Sequence, residues 1–332
     1  MKNNFRKYKS SLLIFLLGVI CVFFPNIASL FEIPYLDMDI IIEQNYTLSV
    51  GIILIILSLG MFIWAIYTSK QFCIIEIKGL NNIKLSKPKI KTFSKKTHHI
   101  YELSFTKMNE SELKENVQKI KTLFHNNRNN NDSDNDLNYC FTGICYTPFV
   151  FYLGTLYNNG DKKYNFFHYF RNNGNKLKEL SKKEKKKNLL IESYSENNNS
   201  KDLVLTVETT FEINNVDSIF FGMDMLKFSA EHKGYDVVNN YETLYKWCDQ
   251  IVDRIHNLKD KYDNIHLLIS SSNVLCFLLG TKLNNNYDPI IYVYHYDKNN
   301  LIKYPWALCP KDKNGKIVKI TSKKKIKIKM NV

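Results

Sequence analysis

Two long uncharged stretches lie within the first 70 residues, and they restrict the chain more than anything that follows. Residues 10–31 carry no ionisable side chain except the Cys21 thiol, around the core SLLIFLLGVICVFF. Residues 44–69 are uncharged again, around VGIILIILSLGMFIWAIY. A hydrocarbon layer of about 30 Å is crossed by roughly 20 helical residues, so each stretch is long enough to span. The expectation is a two-helix transmembrane hairpin over residues 1–69, with spans at about 11–31 and 47–68. Pro25 would kink or end the first helix, and Trp64 and Tyr67 suit the headgroup zone beside the second.

The charges give this hairpin a direction. Lys2, Arg6, Lys7 and Lys9 precede the first stretch, whereas Glu32, Asp37, Asp39 and Glu43 separate the two. Short basic segments stay cytoplasmic, so the N-terminus and everything after Lys70 are expected inside, with the acidic loop outside. A cleavable signal peptide has a similar basic-then-apolar shape. The length of the run, the lack of a small-x-small cleavage pattern and the second stretch close behind favour a retained hairpin. Because the four cations and four acids cancel, the chain's net charge of +14 belongs to the part beyond residue 69. Six of the seven cysteines lie there with no CxxC pair and are expected as reduced thiols.

Within that part, NNRNNNDSDN (126–135) and SKKEKKK (181–187) are too polar for a core and read as loops. Between them a grammar of strand, helix, strand, helix, strand appears twice. The first unit places strands at 99–105, 137–144 and 164–170, with helices at 110–125 and 148–156. The second places strands at 202–210, 266–269 and 289–295, with helices at 242–258 and 272–283. Residues 70–98 read as a connector and 313–332 as a basic tail, so the two units occupy 99–190 and 200–312. Two such crossover units imply α/β architecture with parallel sheets, whose ligands bind beyond the carboxyl ends of the strands.

The residues at those ends are therefore the candidate binding set. They are Thr106 and Lys107, Tyr146 and Thr147, Thr209 and Thr210, and the run Ser270, Ser271, Ser272 and Asn273 at the start of a helix. A helix N-terminus flanked by hydroxyls offers amides and the positive dipole end to an anion such as phosphate. Tyr294, Tyr304 and Trp306 add aromatic faces on which bases can stack. Each also has a plain structural reading: Ser272 as a cap, Tyr294 as a strand residue, Lys107 as a solvated charge. Walker A, GxGxxG and G-x-S-x-G patterns are absent, and no paired-carboxylate metal motif or cofactor fingerprint is present.

At these residues the chain resembles a known family, the SAVED domain of bacterial cyclic-oligonucleotide anti-phage signalling (CBASS). FTGICYTPFVFYLG (141–154) is similar to the glycine-isoleucine, proline, leucine-glycine segment of its first half. IHLL (265–268), the serine run, Leu279-Gly280, residues 289–294 and YPWAL (304–308) are similar to its second half. Cys145 and Tyr146 stand where a small residue and a histidine are expected. The resemblance implies two fused CARF-like, Rossmann-like units forming a SAVED domain behind the transmembrane hairpin.

It further implies a non-enzymatic, multi-pass effector of the bacterial inner membrane with its SAVED domain cytoplasmic. That effector would bind a cyclic oligonucleotide, a trinucleotide, made by a partner CD-NTase cyclase. Binding would join copies into a homo-oligomer, and the clustered helices would disrupt the lipid bilayer and abort infection. No cofactor is implied. A membrane-anchored nuclease or a ring nuclease is the alternative. Long nucleic acid is not an expected partner, because seven of the surplus cations sit in the tail 316–329 and four net charges in the 181–187 linker. The lysine tail reads either as a contact with anionic lipid or as a protected edge strand.

Overall fold

The structure is a computed structural model that describes residues 12–19, 22, 44–69, 71–79, 96–129, 137–158, 164–170, 176–182, 187–197, 200–214, 216, 218–283, 289–311 and 314–319. The chain divides into two compact units, one of Met1–Phe72 with Ile90–Lys96, the other of Cys73–Lys89 with Thr97–Val332.

In the first unit, residues 12–19 are helical and α1 runs over Gln44–Ser69. Gly18 faces Gly51 and Ile55 closely enough that a Cβ there would stand 2.9 Å from the Ile55 side chain. Gly51 and Ser58 are buried, and the Ser58 hydroxyl bonds back to the Ile55 carbonyl at 2.8 Å. The large apolar side chains around them are exposed, including Ile53 and Ile56 at 55% and 63%. Among the described residues no helix is long and apolar enough to cross a membrane. The side chains of α1 are described for 49–63, about 22 Å of helix at roughly 1.5 Å per residue. The basic arm 1–10, Pro25, most of the acidic loop and residues 320–332 lie outside the described residues.

The second unit contains two sheets. The five-stranded sheet has the order β2-β1-β3-β4-β5, from β1 (Gln71–Lys78), β2 (Lys96–Glu102), β3 (Leu137–Ile144), β4 (Tyr164–Phe170) and β5 (Lys176–Glu179). The seven-stranded sheet has the order β12-β11-β10-β9-β7-β8-β6. Its strands are β6 (Leu190–Ser195), β7 (Asp202–Glu208), β8 (Asp224–Ala230), β9 (Asn264–Ser270), β10 (Ile290–His295), β11 (Trp306–Cys309) and β12 (Lys316–Lys319). β3 and β4 run parallel, as do β9 and β10 and also β7 with β8 and β9. Antiparallel strands β5, β6, β11 and β12 extend these parallel cores. The expected mixed α/β architecture is therefore present.

Two boundaries differ from the sequence reading. β1 lies within the expected connector, between β2 and β3 in the first sheet, with Cys73, Ile74, Ile75 and Ile77 all buried. QFCIIEIK follows an apolar helix without punctuation, and burial on both faces removes the polar-apolar alternation that marks a strand. The first four residues described of the basic tail after 315 form β12, which pairs with β11. The observed strand supports the edge-strand reading of Lys316–Lys319.

Helices α2 (Glu110–Asn129) and α4 (Tyr241–Leu258) are amphipathic. α4 begins at an Asn240 cap that accepts from the Thr243 amide at 2.8 Å, and buries one stripe of Leu244, Trp247, Ile251 and Ile255. The helices α3 (Thr147–Leu156) and α5 (Asn273–Lys282) are buried almost all round. They pack on each other, and each also touches the sheet of the opposite half: α3 meets β10 and β11, and α5 meets β3 and β4. Phe277 of α5 stacks on Phe141 at 4.0 Å and packs against Tyr157, Tyr164 and Phe166. Truncating a buried phenylalanine of this kind costs about 3–5 kcal/mol.

Candidate functional site

α3 and α5 correspond residue for residue. Tyr146 caps α3 with φ −63° and ψ 136°, and Ser272 caps α5 with φ −69° and ψ 149°; neither side chain makes a capping bond. Each cap carbonyl accepts the two amides three and four residues on. Eight residues beyond each cap stands a glycine, Gly154 or Gly280, and the two meet. A Cβ on Gly154 would run into the Phe277 carbonyl oxygen, and one on Gly280 into that of Phe151. Thr155 and Thr281 follow, each hydroxyl bonding the carbonyl three residues back at 2.7 Å. This crossing brings both helix N-termini to the carboxyl ends of the strands.

Beside the α5 end opens a cavity of about 250 Å³, lined from both halves by residues 143–144 and 167–169, and by 210–211, Tyr235 and 269–274. Thr210, Ser270, Ser271, Ser272 and Asn273 of the candidate set come together here. Several of their groups are already engaged. Thr209, fully buried beneath them, bonds Ser271 hydroxyl to hydroxyl at 2.7 Å. Ser270 Oγ accepts from the Phe211 amide at 3.0 Å, and Asn273 Nδ2 donates to the carbonyls of Gly143 and Cys145, each at 3.3 Å. Ser272 Oγ is different: it is buried, the residue is 9% exposed, and it has no hydrogen-bond partner. A buried hydroxyl left unpaired costs free energy, so it marks a place where a polar ligand atom or water belongs.

The remaining candidates lie elsewhere. Thr106 and Lys107 are exposed, and the amides of Thr106, Lys107 and Met108 with the Thr106 hydroxyl all donate to the Glu112 carboxylate at 2.6–2.9 Å. Those groups are occupied by the chain itself. Although slight burial opposes it, these bonds hold the Glu112 carboxyl below the ordinary glutamate value. Thr147 hydrogen-bonds the Cys276 thiol of α5. Tyr294 and Tyr304 are buried on the opposite face of the second sheet with Phe220, Val204 and Leu268, and Tyr294 bonds His266 at 2.8 Å. The alternation of β10 carries Tyr294 to that face, and neither tyrosine lines this cavity.

Tyr146 and Trp306 belong to an aromatic column beside the α3 end. Tyr146 packs edge-on against Phe105 and His295, both at 4.7 Å, and His295 stacks on Trp306 at 4.9 Å. Burial pushes His295 down to about 4, although nearby Asp297 opposes the shift. The imidazole is therefore neutral at pH 7. Trp306 and Lys107 line a second cavity of about 340 Å³ with residues 108–110, Leu113, Asp297, Asn300, Pro305 and Ile317.

Some lining residues escaped the sequence reading. Phe211 and Tyr235, 54% and 37% exposed, meet edge-on at 5.0 Å and offer aromatic surface at the first cavity. Phe211 directly follows two candidate threonines, which was its one signal; Tyr235 lies in a loop with none. His168, on β4, also lines the cavity, with its Nε2 3.6 Å from Asp236 Oδ1. Among the described residues of this lining there is no lysine or arginine, and those residues offer an anion amides and hydroxyls. Among the described residues no cluster of three or more His, Cys, Asp or Glu side chains could hold a metal ion.

A family model for the SMODS-associated and fused to various effectors sensor domain, SAVED, matches residues 118–309, more than half of the chain. The chain belongs to the SAVED family. Its match begins within α2 and closes at β11, so it takes in both helix caps and the first cavity. Among solved structures, the SAVED domain is similar to the Acinetobacter baumannii Cap4 SAVED/CARF-domain containing receptor with the cyclic trinucleotide 2′3′3′-cAAA, at 13% identity and a TM-score of 0.46 over 77% of this chain and 56% of that one. The same receptor with 3′3′3′-cAAA matches at 15% identity and a TM-score of 0.43, over 77% and 56% of the two chains. The Moraxella osloensis Cap4 receptor matches at 13% and 0.42, over 77% and 55%. The chain thus spans little more than half the length of these receptors. No curated protein matches it.

Proposed function

We propose that this chain is a membrane-anchored sensor of CBASS type whose SAVED domain binds a cyclic oligonucleotide, a cyclic trinucleotide, in the cavity at the α5 N-terminus. The observation that carries this reading is Ser272: a buried hydroxyl without a partner, at a helix N-terminus, inside a cavity shared by the two halves of a sensor domain. An anionic phosphate there would gain the helix amides and dipole, while Phe211 and Tyr235 would receive a base. The cavity is smaller than the about 300–1,000 Å³ typical of ligand sites, so a cyclic oligonucleotide would extend beyond its rim. The ligand is the product of a CD-NTase cyclase in this reading.

The membrane part rests on the two uncharged runs and on the exposed apolar surface of 12–19 and α1, which water does not favour. In this proposal the protein sits in the bacterial inner membrane with the SAVED domain cytoplasmic. Ligand binding favours an oligomeric state, and the gathered hairpins then disrupt the bilayer without any catalytic turnover. Titration calorimetry of the full chain in detergent micelles against a panel of cyclic di- and trinucleotides tests the sensor. One ligand should bind, and silence across the panel overturns the reading. Dye release from liposomes carrying the full chain, on addition of that ligand, tests the effector.

His168 beside Asp236 in the same cavity favours a second reading, cleavage of the ligand, because a positioned imidazole can act as a general base. Chromatography of the titrated mixtures separates the two: intact ligand supports binding alone, and linear products support a ring nuclease.

A further inference from the structure

The two helix N-termini are equivalent in backbone and opposite in access. At α5 the cap is Ser272, beside open space. At α3 the cap is Tyr146, whose half-buried ring lies against Phe105 and His295. The surroundings correspond as well. Tyr169 of β4 lines the cavity next to Ser272, while its counterpart one repeat on, His295 of β10, packs against Tyr146. Phe105 closes the other side of the Tyr146 ring, and Trp306 backs His295. Four aromatic rings therefore fill what Ser272 leaves open in the other half.

We propose that Tyr146 is the specificity-determining residue of the sensor, a plug that turns a site with two equivalent anion-binding helix ends into a site with one. This rests on the reading of the cavity as a cyclic-oligonucleotide site. A ligand with an even ring has two-fold symmetry and would present identical phosphates to both helix ends if both were open. With α3 closed, that second contact is lost, and an odd ring, which has no two-fold axis, forfeits nothing. Tyr146 thereby selects ring size through the symmetry of what it leaves accessible, without itself needing to touch the ligand.

The test compares wild type with Tyr146→Ser, which copies the α5 cap, and with Tyr146→Phe, which keeps the ring. Calorimetry of the full chain in micelles uses two even-ring probes, 3′3′-cyclic diadenylate and cyclic tetraadenylate, and one odd-ring probe, cyclic triadenylate. Tyr146→Ser should bind the better even-ring probe at least tenfold tighter than wild type does, and Tyr146→Phe should match wild type. An unchanged order of preference in Tyr146→Ser overturns the proposal.

Opening of the plug is read independently of any ligand. In a Trp64→Phe background the remaining tryptophans are Trp247 and Trp306, of which Trp247 is fully buried away from the column. Acrylamide should quench the Trp306 emission of Tyr146→Ser at least twofold more strongly than that of wild type, and equal quenching overturns the plug. Should Tyr146→Ser not fold, Tyr146→Ala, which also removes the ring, carries both measurements with the same criteria. Wild-type silence on every probe would sink the sensor reading, whereas the quenching result would still decide whether Tyr146 closes the α3 end.

Discussion

The two halves of the SAVED domain share a scaffold and differ in what they place on it. From the helix cap to the threonine nine residues later, α3 and α5 repeat the same backbone, the same glycine and the same threonine bond. At the cap itself one half has a serine with an unpaired hydroxyl and the other a tyrosine held in an aromatic column. Repetition concentrates where the helices cross, because there neither half can change without the other. Divergence concentrates at the helix N-termini, where the constraint is a ligand and not a packing partner. A fused pair of units is free to make this distinction, whereas identical subunits would have to change both ends together.

The sharpest way to break the equivalence is at the crossing. Gly154→Val and Gly280→Val each drive a side chain into a backbone carbonyl of the facing helix, and overpacking of this kind costs up to about 3 kcal/mol. Urea unfolding should show similar losses for the two, with the double variant losing less than the sum because both act on one contact. Clearly unequal losses would mean that the halves are not mechanically equivalent.

Acid should separate the halves next, through His295. Its folded-state value near 4 lies below the 6.5 of an exposed histidine, so the unfolded chain takes up the proton first. Stability should be unaffected above pH 6.5, fall as pH drops through that value, and level off below about 4, with about 3 kcal/mol lost in all. His295→Phe should remove this part of the acid sensitivity in urea midpoints measured between pH 7 and 4. A variant that stays as acid-sensitive as wild type would place the sensitivity outside the α3 column.

Much of this was legible in the residues, and the failures have physical reasons. The crossover grammar located α3, α5, β3, β4, β9 and β10, because each element is bounded by glycine, proline or polar runs. The serine run before an apolar helix led to Ser272. β1 was lost because a strand buried on both faces has no alternation to read. Thr106 and Lys107 lie away from the first cavity with their amides on Glu112, a bond that nothing in the sequence announces. Tyr294 and Tyr304 lie on the face away from the first cavity, because position at the end of an element does not say which face a side chain takes. Tyr235 comes to the cavity from a loop far along the chain, a contact that only the tertiary fold makes.

A smaller effect sharpens the contrast between the caps. Ser272 makes no capping bond, so Ser272→Ala should not carry the usual cap penalty of about 0.5–2 kcal/mol. Removing an unpaired buried hydroxyl should leave the urea midpoint unchanged or slightly raised. Binding of the cyclic oligonucleotide should nevertheless weaken about tenfold, equal to about 1.4 kcal/mol. A loss of stability without loss of affinity would make Ser272 a structural residue.

The smallest expected effect concerns the 106–108 loop. Glu112 gathers four donors from residues 106–108, and its carboxyl is held below the usual value. A carboxylate of this kind stabilises the fold above its unfolded value, near 4.5, and that contribution disappears as pH falls below it. The group is largely exposed, so solvent screening limits its worth to under about 1 kcal/mol. Glu112→Gln should therefore lower the urea midpoint slightly at pH 7 and make no difference at pH 3. Because His295 acts between pH 6.5 and 4 and Glu112 below 4.5, a pH series on the two variants resolves them. If Glu112→Gln also weakened binding of the cyclic oligonucleotide, the 106–108 loop would belong to the ligand site after all. The closed state of the α3 end would then be a property of the apo protein, and the asymmetry between the halves would be conditional on ligand and not built in.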